Sequence, residues 1–488
     1  MKRPPPPGLT LLSIAFVVAA VVSVAETPPF EVDLPELPIE LDLYDCRIDV
    51  ELIDGVDPLL RVTTAPSGGV ESPAFKVGEA GGLIRVARTD AGGTTAARAT
   101  LGLVLDPAQA LTIRGQGLAI FIRNSTVLAT DALSQNPTVE GDNPGPTTTP
   151  AVHTFDLLDS EIFLVGGQAT TITGKNTFVD GEDGHGELRV DIDRGSLFLR
   201  RHRGNLHLSS LNSASSIEEL RGTVDISLDG GSLELRGGTG AVTGQVRSGN
   251  ISLSRWSGNG RLTGEDATIE LRDGFVNQMN VTATATILAV EGCRGSVTAQ
   301  LTGGELTAEA VQGSLQATAS ASARVEVIDH KGPLVLEVHD NSSAEISEIE
   351  GSVNVNVDQS ELRVDGASAL GLTARGASLS LARVRRFTNF LAATSELELD
   401  LRDTVGGEFD LEVTDGSHAT VYLASPCRVR LRDSTASSHQ VDVTGCEFQM
   451  QNTGRWRGSK SKGLDGRPTF LLTARVFEGG SLSVRGEL

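Results

Sequence analysis

With 488 residues, an aromatic content of 4% and only two Trp and two Tyr against 55 glycines, the chain lacks the large side chains that fill a thick compact core. Its formal charge of −22 is spread along the sequence rather than gathered in a tail, which disfavours nucleic acid, whose phosphates it would repel. After residue 26 no long window carries apolar residues at i, i+3, i+4 and i+7, so a helical architecture is excluded.

Met1-Lys2-Arg3 forms a positive start, Leu9 to Val24 an apolar run, and Ser23-Val24-Ala25 offers small residues at −3 and −1. This pattern predicts a signal peptide over 1–25, cut before Glu26. The alternative is an uncleaved anchor, because the run approaches a spanning length. No other run is long and apolar enough to span a membrane, so no transmembrane segment is expected after cleavage. The expected destination is outside the cytoplasm: secreted, periplasmic or on the cell surface. Export permits disulfides. Cys427 and Cys446 are 19 residues apart, about one repeat, and neighbouring strands lie about 4.8 Å apart, within the roughly 4.4–6.8 Å window of bridged Cα atoms. They are the disulfide candidate, with two stacked free thiols as the alternative. Cys46 and Cys293 read as buried single cysteines.

Residues 26–130 read as an N-terminal β-rich segment leading into a solenoid. Ile39-Glu40-Leu41-Asp42-Leu43 and Cys46 to Leu52 alternate apolar and charged residues with period two, as half-buried strands do. Residues 131–152 break this rhythm with Asn136-Pro137, Asp142-Asn143-Pro144-Gly145-Pro146 and a threonine run, a Pro/Thr-rich insertion. From 153 to 451 the pattern becomes a repeat. Gly295-Ser296-Val297, Gly313-Ser314-Leu315, Gly332-Pro333-Leu334 and Gly351-Ser352-Val353 succeed one another at offsets of 18, 19 and 19 residues. A fixed period of this size marks a solenoid. The fold expected is all-β: a single-stranded parallel β-helix with coils of about 19 residues, right-handed by the default of parallel crossovers. Inward alanines (Ala299, Ala317, Ala319) predict a narrow packed core rather than a pore. Residues 452–488 read as a basic loop and a cap over the last edge.

The run Leu101-Gly102-Leu103-Val104-Leu105-Asp106-Pro107, then Leu111-Thr112-Ile113-Arg114-Gly115-Gln116-Gly117, and the repeated Gly-Ser-[Val/Leu]-x-[Val/Leu] units together resemble the bacterial secreted adhesin-like head-domain β-solenoids. The resemblance implies a non-catalytic adhesin or an envelope structural protein, and carries over no catalytic residues. The Pro/Thr insertion and the basic loop depart from that family's pattern.

Three clusters could carry chemistry. Arg455, Trp456, Arg457, Lys460 and Lys462 combine an aromatic with cations and form the candidate binding site. Asp180, Glu182 and Asp183 lie in a glycine-containing stretch of the kind that suits Ca²⁺, although the spacing fits no EF-hand and a solvated turn is the plainer reading; apart from this Ca²⁺ candidate no cofactor is expected. Arg200 to Arg203, with His202 among them, and Arg383, Arg385 and Arg386 read as charged coil corners. The histidines show no HxxxH spacing and no GxSxG elbow occurs. The competing reading is a polysaccharide lyase or glycosidase on a parallel β-helix, which would need paired carboxylates in a groove; only Trp256 and Trp456 could then serve as sugar platforms. Expected partners are envelope polysaccharides or surface proteins, met by outward positions such as Asn354, Asn356, Glu361 and Arg363.

Overall fold

The computed structural model describes residues 30–33, 37–44, 46–53, 58–64, 75–79, 84–88, 99–105, 109–124, 152–166, 169–404, 407–424, 427–432, 441–450, 470–477 and 479–487. Every regular element among them is a β-strand. The chain divides into two units, residues 1–195 and 196–488.

The strands of the first unit are β1 (Phe30–Asp33), β2 (Ile39–Tyr44), β3 (Cys46–Leu52), β4 (Leu59–Thr64), β5 (Phe75–Glu79), β6 (Ile84–Arg88), β7 (Ala99–Leu105), β8 (Leu111–Gln116), β9 (Ala119–Asn124), β10 (His153–Leu158), β11 (Glu161–Val165), β12 (Thr170–Lys175), β13 (Phe178–Glu182) and β14 (Leu188–Asp193). They form two parallel ladders. One runs β6-β2-β8-β10-β12-β14 and the other β7-β3-β9-β11-β13. Period-two alternation buries Leu41 and Leu43 of β2 and Ile48 and Val50 of β3 inside. The segment 26–130 does not merely lead into the solenoid. Its strands are coils already, stacked out of chain order: Ile39 of β2 pairs with Ile84 on one side and Leu111 on the other. Antiparallel β5 against β6, and β4 and β1 beyond β7, close the outer edge, which would otherwise offer unpaired backbone to another chain.

In the second unit each coil has a front strand, a back strand and a short glycine-bearing corner. The back ladder takes Asn250 to Thr268, 18 residues on, then Ile287, 19 on, and then Glu305, 18 on. Most coils thus hold 18 or 19 residues, with 17 between Glu361 and Ser378, rather than a uniform 19. The extra residue is absorbed where the register slips, as between Val276 and Met279, the usual effect of a bulge. Two corners are held in left-handed backbone, one by residues such as Asp266 and Ala285, the other by Asp273 and Ala310. Hydroxyls just past the first corner satisfy its buried backbone: Ser360 Oγ accepts from Ser342 N–H at 3.2 Å, and Ser342 Oγ from Ala323 N–H at 3.1 Å.

The core is thin. Ala299, Ala317 and Ala319 are all buried, and the largest buried side chain, Trp256, enters where glycine makes room. Trp256 is 1% exposed, its ring lying where a Cβ on Gly238 would stand 2.5 Å away. At the C-terminal end the last strands, Phe470–Val476 and Ser481–Glu487, are not an outer cap. They slot between Gly407–Ala424 on one side and Cys427–Leu431 with Val441–Thr444 on the other. The reason is pairing: in that position both edges of the final coil find a partner. Beyond them Glu447–Met450 pairs with Cys427–Leu431, and a Cys427–Cys446 disulfide with a Cα separation of 5.0 Å joins these two levels. Cys46 and Cys293 are both buried.

Candidate functional site

Alternation that points Ile48, Val50, Ile120, Ile122, Ile162 and Leu164 inward must point Arg47, Asp49, Glu51, Phe121, Arg123, Phe163 and Val165 outward. Parallel register then sets them side by side across the coils. Asp49 faces Phe121 and Phe121 faces Phe163; Glu51 faces Arg123 and Arg123 faces Val165. Gly102 of β7 lies beside Asp49, and having no side chain it leaves the floor low. The result is a cavity of about 420 Å³ on the outer face of the first unit, bounded by these residues and by Leu59 and Val104.

The Phe121 and Phe163 rings stack with centroids 4.7 Å apart and planes 7° from parallel, and Phe178 continues the column at 5.9 Å. The Arg47 guanidinium lies 4.3 Å over the other face of Phe121 while its Nε donates to Asp49 at 3.0 Å. Cation and ring attract through the ring quadrupole, and the half-exposed ion pair adds at most about 1 kcal/mol. The ring faces are therefore occupied from within, and what the groove presents is ring edges, Val165, and the polar heads of Asp49, Glu51 and Arg123. Asp49 and Glu51, two residues apart on one strand, have Cα atoms about 6.6 Å apart at strand rise. Planar carboxylates and a guanidinium beside apolar edges can grip a ligand that has both hydroxyls and C–H surface.

The expected sites fare differently. Arg455, Trp456, Arg457, Lys460 and Lys462 lie outside the described residues, as do the signal peptide and most of the Pro/Thr insertion. Asp180 and Glu182 share the outer face of β13, next to Phe163 and Val165, and Asp183 turns the corner at φ 56°. Among the described residues no three His, Cys, Asp or Glu side chains are gathered for a metal ion. Trp256 cannot be a sugar platform, since the core encloses it. Arg201 and Arg383 are left-handed corner residues, but His202 between Arg201 and Arg203 turns inward and is 2% exposed. Arg383 donates to Asp365 at 2.5 Å, and this bond holds the Asp365 carboxyl below the usual range.

The groove itself was missed by sequence reasoning, although a signal exists. Ile120-Phe121-Ile122 and Ile162-Phe163-Leu164 are unbroken apolar triplets where alternation calls for a polar middle residue. No family model matches the chain, and no curated protein is detectably similar to it.

Proposed function

We propose that this protein is an exported, non-catalytic β-solenoid that works as an adhesive or cell-envelope interaction scaffold, contacting its partner through the groove of the first unit. The observation that carries this reading is the mutual engagement of the groove's groups: Arg47 is held by Asp49 and Phe121, an arrangement suited to a rigid contact surface. The disulfide between Cys427 and Cys446 supports export, and the resemblance to adhesin-like head-domain solenoids points the same way. The test is a joint binding and turnover screen of residues 26–488 against acidic and neutral polysaccharides. Binding without release of reducing or unsaturated ends supports the scaffold, and Arg47→Ala and Trp456→Ala then separate the groove from the basic loop. Release of such ends overturns it.

A second reading, a carbohydrate-active enzyme, draws on two carboxylates, Asp49 and Glu51, lining one groove. Loss of turnover in Glu51→Gln with retained binding would establish it.

A further inference from the structure

On the front face of the second unit, three successive coils point Asn280, Thr282 and Thr284, then Thr298, Gln300 and Thr302, then Gln316, Thr318 and Ser320 outward. They stack in register, Thr282 beside Gln300 beside Thr318 and Thr284 beside Thr302 beside Ser320. Every one is a hydroxyl or an amide, exposed or half-buried, and none is charged. The back strands of the same region are the opposite. They carry Glu291, Glu305, Arg324 and Glu326, tied by Arg272–Glu291 at 3.6 Å, Arg324–Glu305 at 3.8 Å and Arg324–Glu326 at 3.7 Å. The first of these front strands lies in an uncharged stretch, with no Asp, Glu, Lys or Arg from Gly274 to Val290. At the start of that stretch stands Phe275, 58% exposed, the most exposed large apolar side chain among the described residues. Arg294 beside Phe275, Arg261 and Glu265 of the preceding coil beside Asn280 and Thr284, and Glu337 beyond Thr318 mark the margins; Thr318 donates to Glu337 at 3.4 Å.

Such a surface selects its partner by exclusion. A polyanion would find no cation among the nine stacked residues, only Arg261 and Arg294 at their edge, and a chain of net charge −22 around them. A lipid or an apolar protein face would find almost no apolar area to cover. What remains is an uncharged partner rich in hydrogen-bonding groups. Threonine on a strand is stiff at χ1, so its hydroxyls are positioned before binding at little entropic cost. Amides set a donor beside an acceptor, which matches vicinal hydroxyls. Rows repeat at the coil spacing of about 4.8 Å, close to the length of one pyranose residue in an extended glycan, so a chain lying along a row meets a fresh polar side chain at each sugar. We infer that this face, from Phe275 to Ser320, docks an extended neutral polysaccharide along the coil axis, with Phe275 taking the C–H face of one ring.

The inference rests on the scaffold reading, and the two fail separately. The mature chain is sedimented with insoluble cellulose, chitin and β-1,3-glucan, with soluble alginate as the polyanion control, while released sugar ends are measured. Expected is capture by at least one neutral glycan and none by alginate. The triple variant Thr282→Lys, Gln300→Glu, Thr318→Lys, whose alternating signs attract between coils, should lose about tenfold in affinity at unchanged circular dichroism. Phe275→Ser, at an exposed position that folding does not need, should weaken capture several-fold, so the idea stays testable if the triple variant misfolds. No capture by any neutral glycan, or capture unchanged in the triple variant and in Phe275→Ser, overturns the assignment. Shaping of ice crystals without glycan capture also overturns it, giving the hydroxyl lattice to ice instead. Release of sugar ends removes the scaffold reading alone, provided that capture still depends on these residues.

Discussion

Gly313 stacks on Gly295 so closely that a Cβ on Gly313 would stand 2.0 Å from the Gly295 carbonyl oxygen. Its φ of 132° is one that residues with a side chain rarely adopt, and Gly332 repeats the relation against Gly313 at 2.1 Å. The period visible in the sequence is thus a steric column. Gly313→Ala must shift backbone rather than a side chain, and strain and overpacking together should cost about 2–5 kcal/mol. Urea unfolding checks this; a variant as stable as the parent would mean that the corner yields.

The neighbouring corner reverses the sign. Ala310 holds φ 54°, and the equivalent position one coil earlier is Gly292 at φ 61°. A left-handed alanine carries a cost of roughly 1–2 kcal/mol that glycine avoids, partly offset by glycine's freer unfolded chain. Ala310→Gly should therefore stabilise the protein by a few tenths up to about 1 kcal/mol, read as a rise in the denaturation midpoint. A fall would show that the Ala310 methyl packs favourably enough to outweigh its strain.

His153 opens β10 at 2% exposure, and burial pushes its imidazole down to about 4 from an ordinary 6.5. Unfolded chains take up that proton near pH 6.5 while the folded protein resists until about pH 4. The unfolded state thus binds more protons in this window, and stability falls as pH drops through it, by about 3 kcal/mol for this group. Burial lowers His330 in the same direction. Melting temperatures from pH 7 to pH 4.5 should decline, and His153→Leu should flatten the decline. Equal slopes would mean that His153 reaches solvent in the folded state.

The Cys427–Cys446 bridge closes a loop of 19 residues and pins the outermost strand, Glu447–Met450, to the level beneath it. Loop-closure entropy assigns it about 3 kcal/mol. Reduction, or a paired Cys427→Ser and Cys446→Ser variant, should lower the unfolding midpoint and speed hydrogen exchange first in Val441–Thr444 and Glu447–Met450. Exchange that rises evenly through the second unit would show that the bridge supports the whole stack and not its end.

Local pattern carried most of the architecture. Alternation in Cys46 to Leu52 sets which side chains face in, because a strand turns each successive residue to the opposite side whatever surrounds it. The glycine period marks the coils, because a stacked corner admits no Cβ at a fixed interval. The neutral front face was equally present in the Gly274–Val290 stretch, although its meaning depends on knowing that Thr282, Gln300 and Thr318 share a row. Which coil lies against which, at the ends, was decided only in three dimensions. Ile39 pairs with residues 45 and 72 positions away, Ile84 and Leu111, and the final coil inserts beneath strands that precede it in the chain. Such pairings leave no periodic trace, since any alternating strand could fill the slot. The groove obeys the same rule: Arg47 and Asp49 of β3, Phe121 of β9 and Phe163 of β11 are ordinary outward residues of three strands. They become a site only because non-local register lines them up, and register across a distant crossover is settled by the packing of the whole stack, not by the residues on either side of the turn.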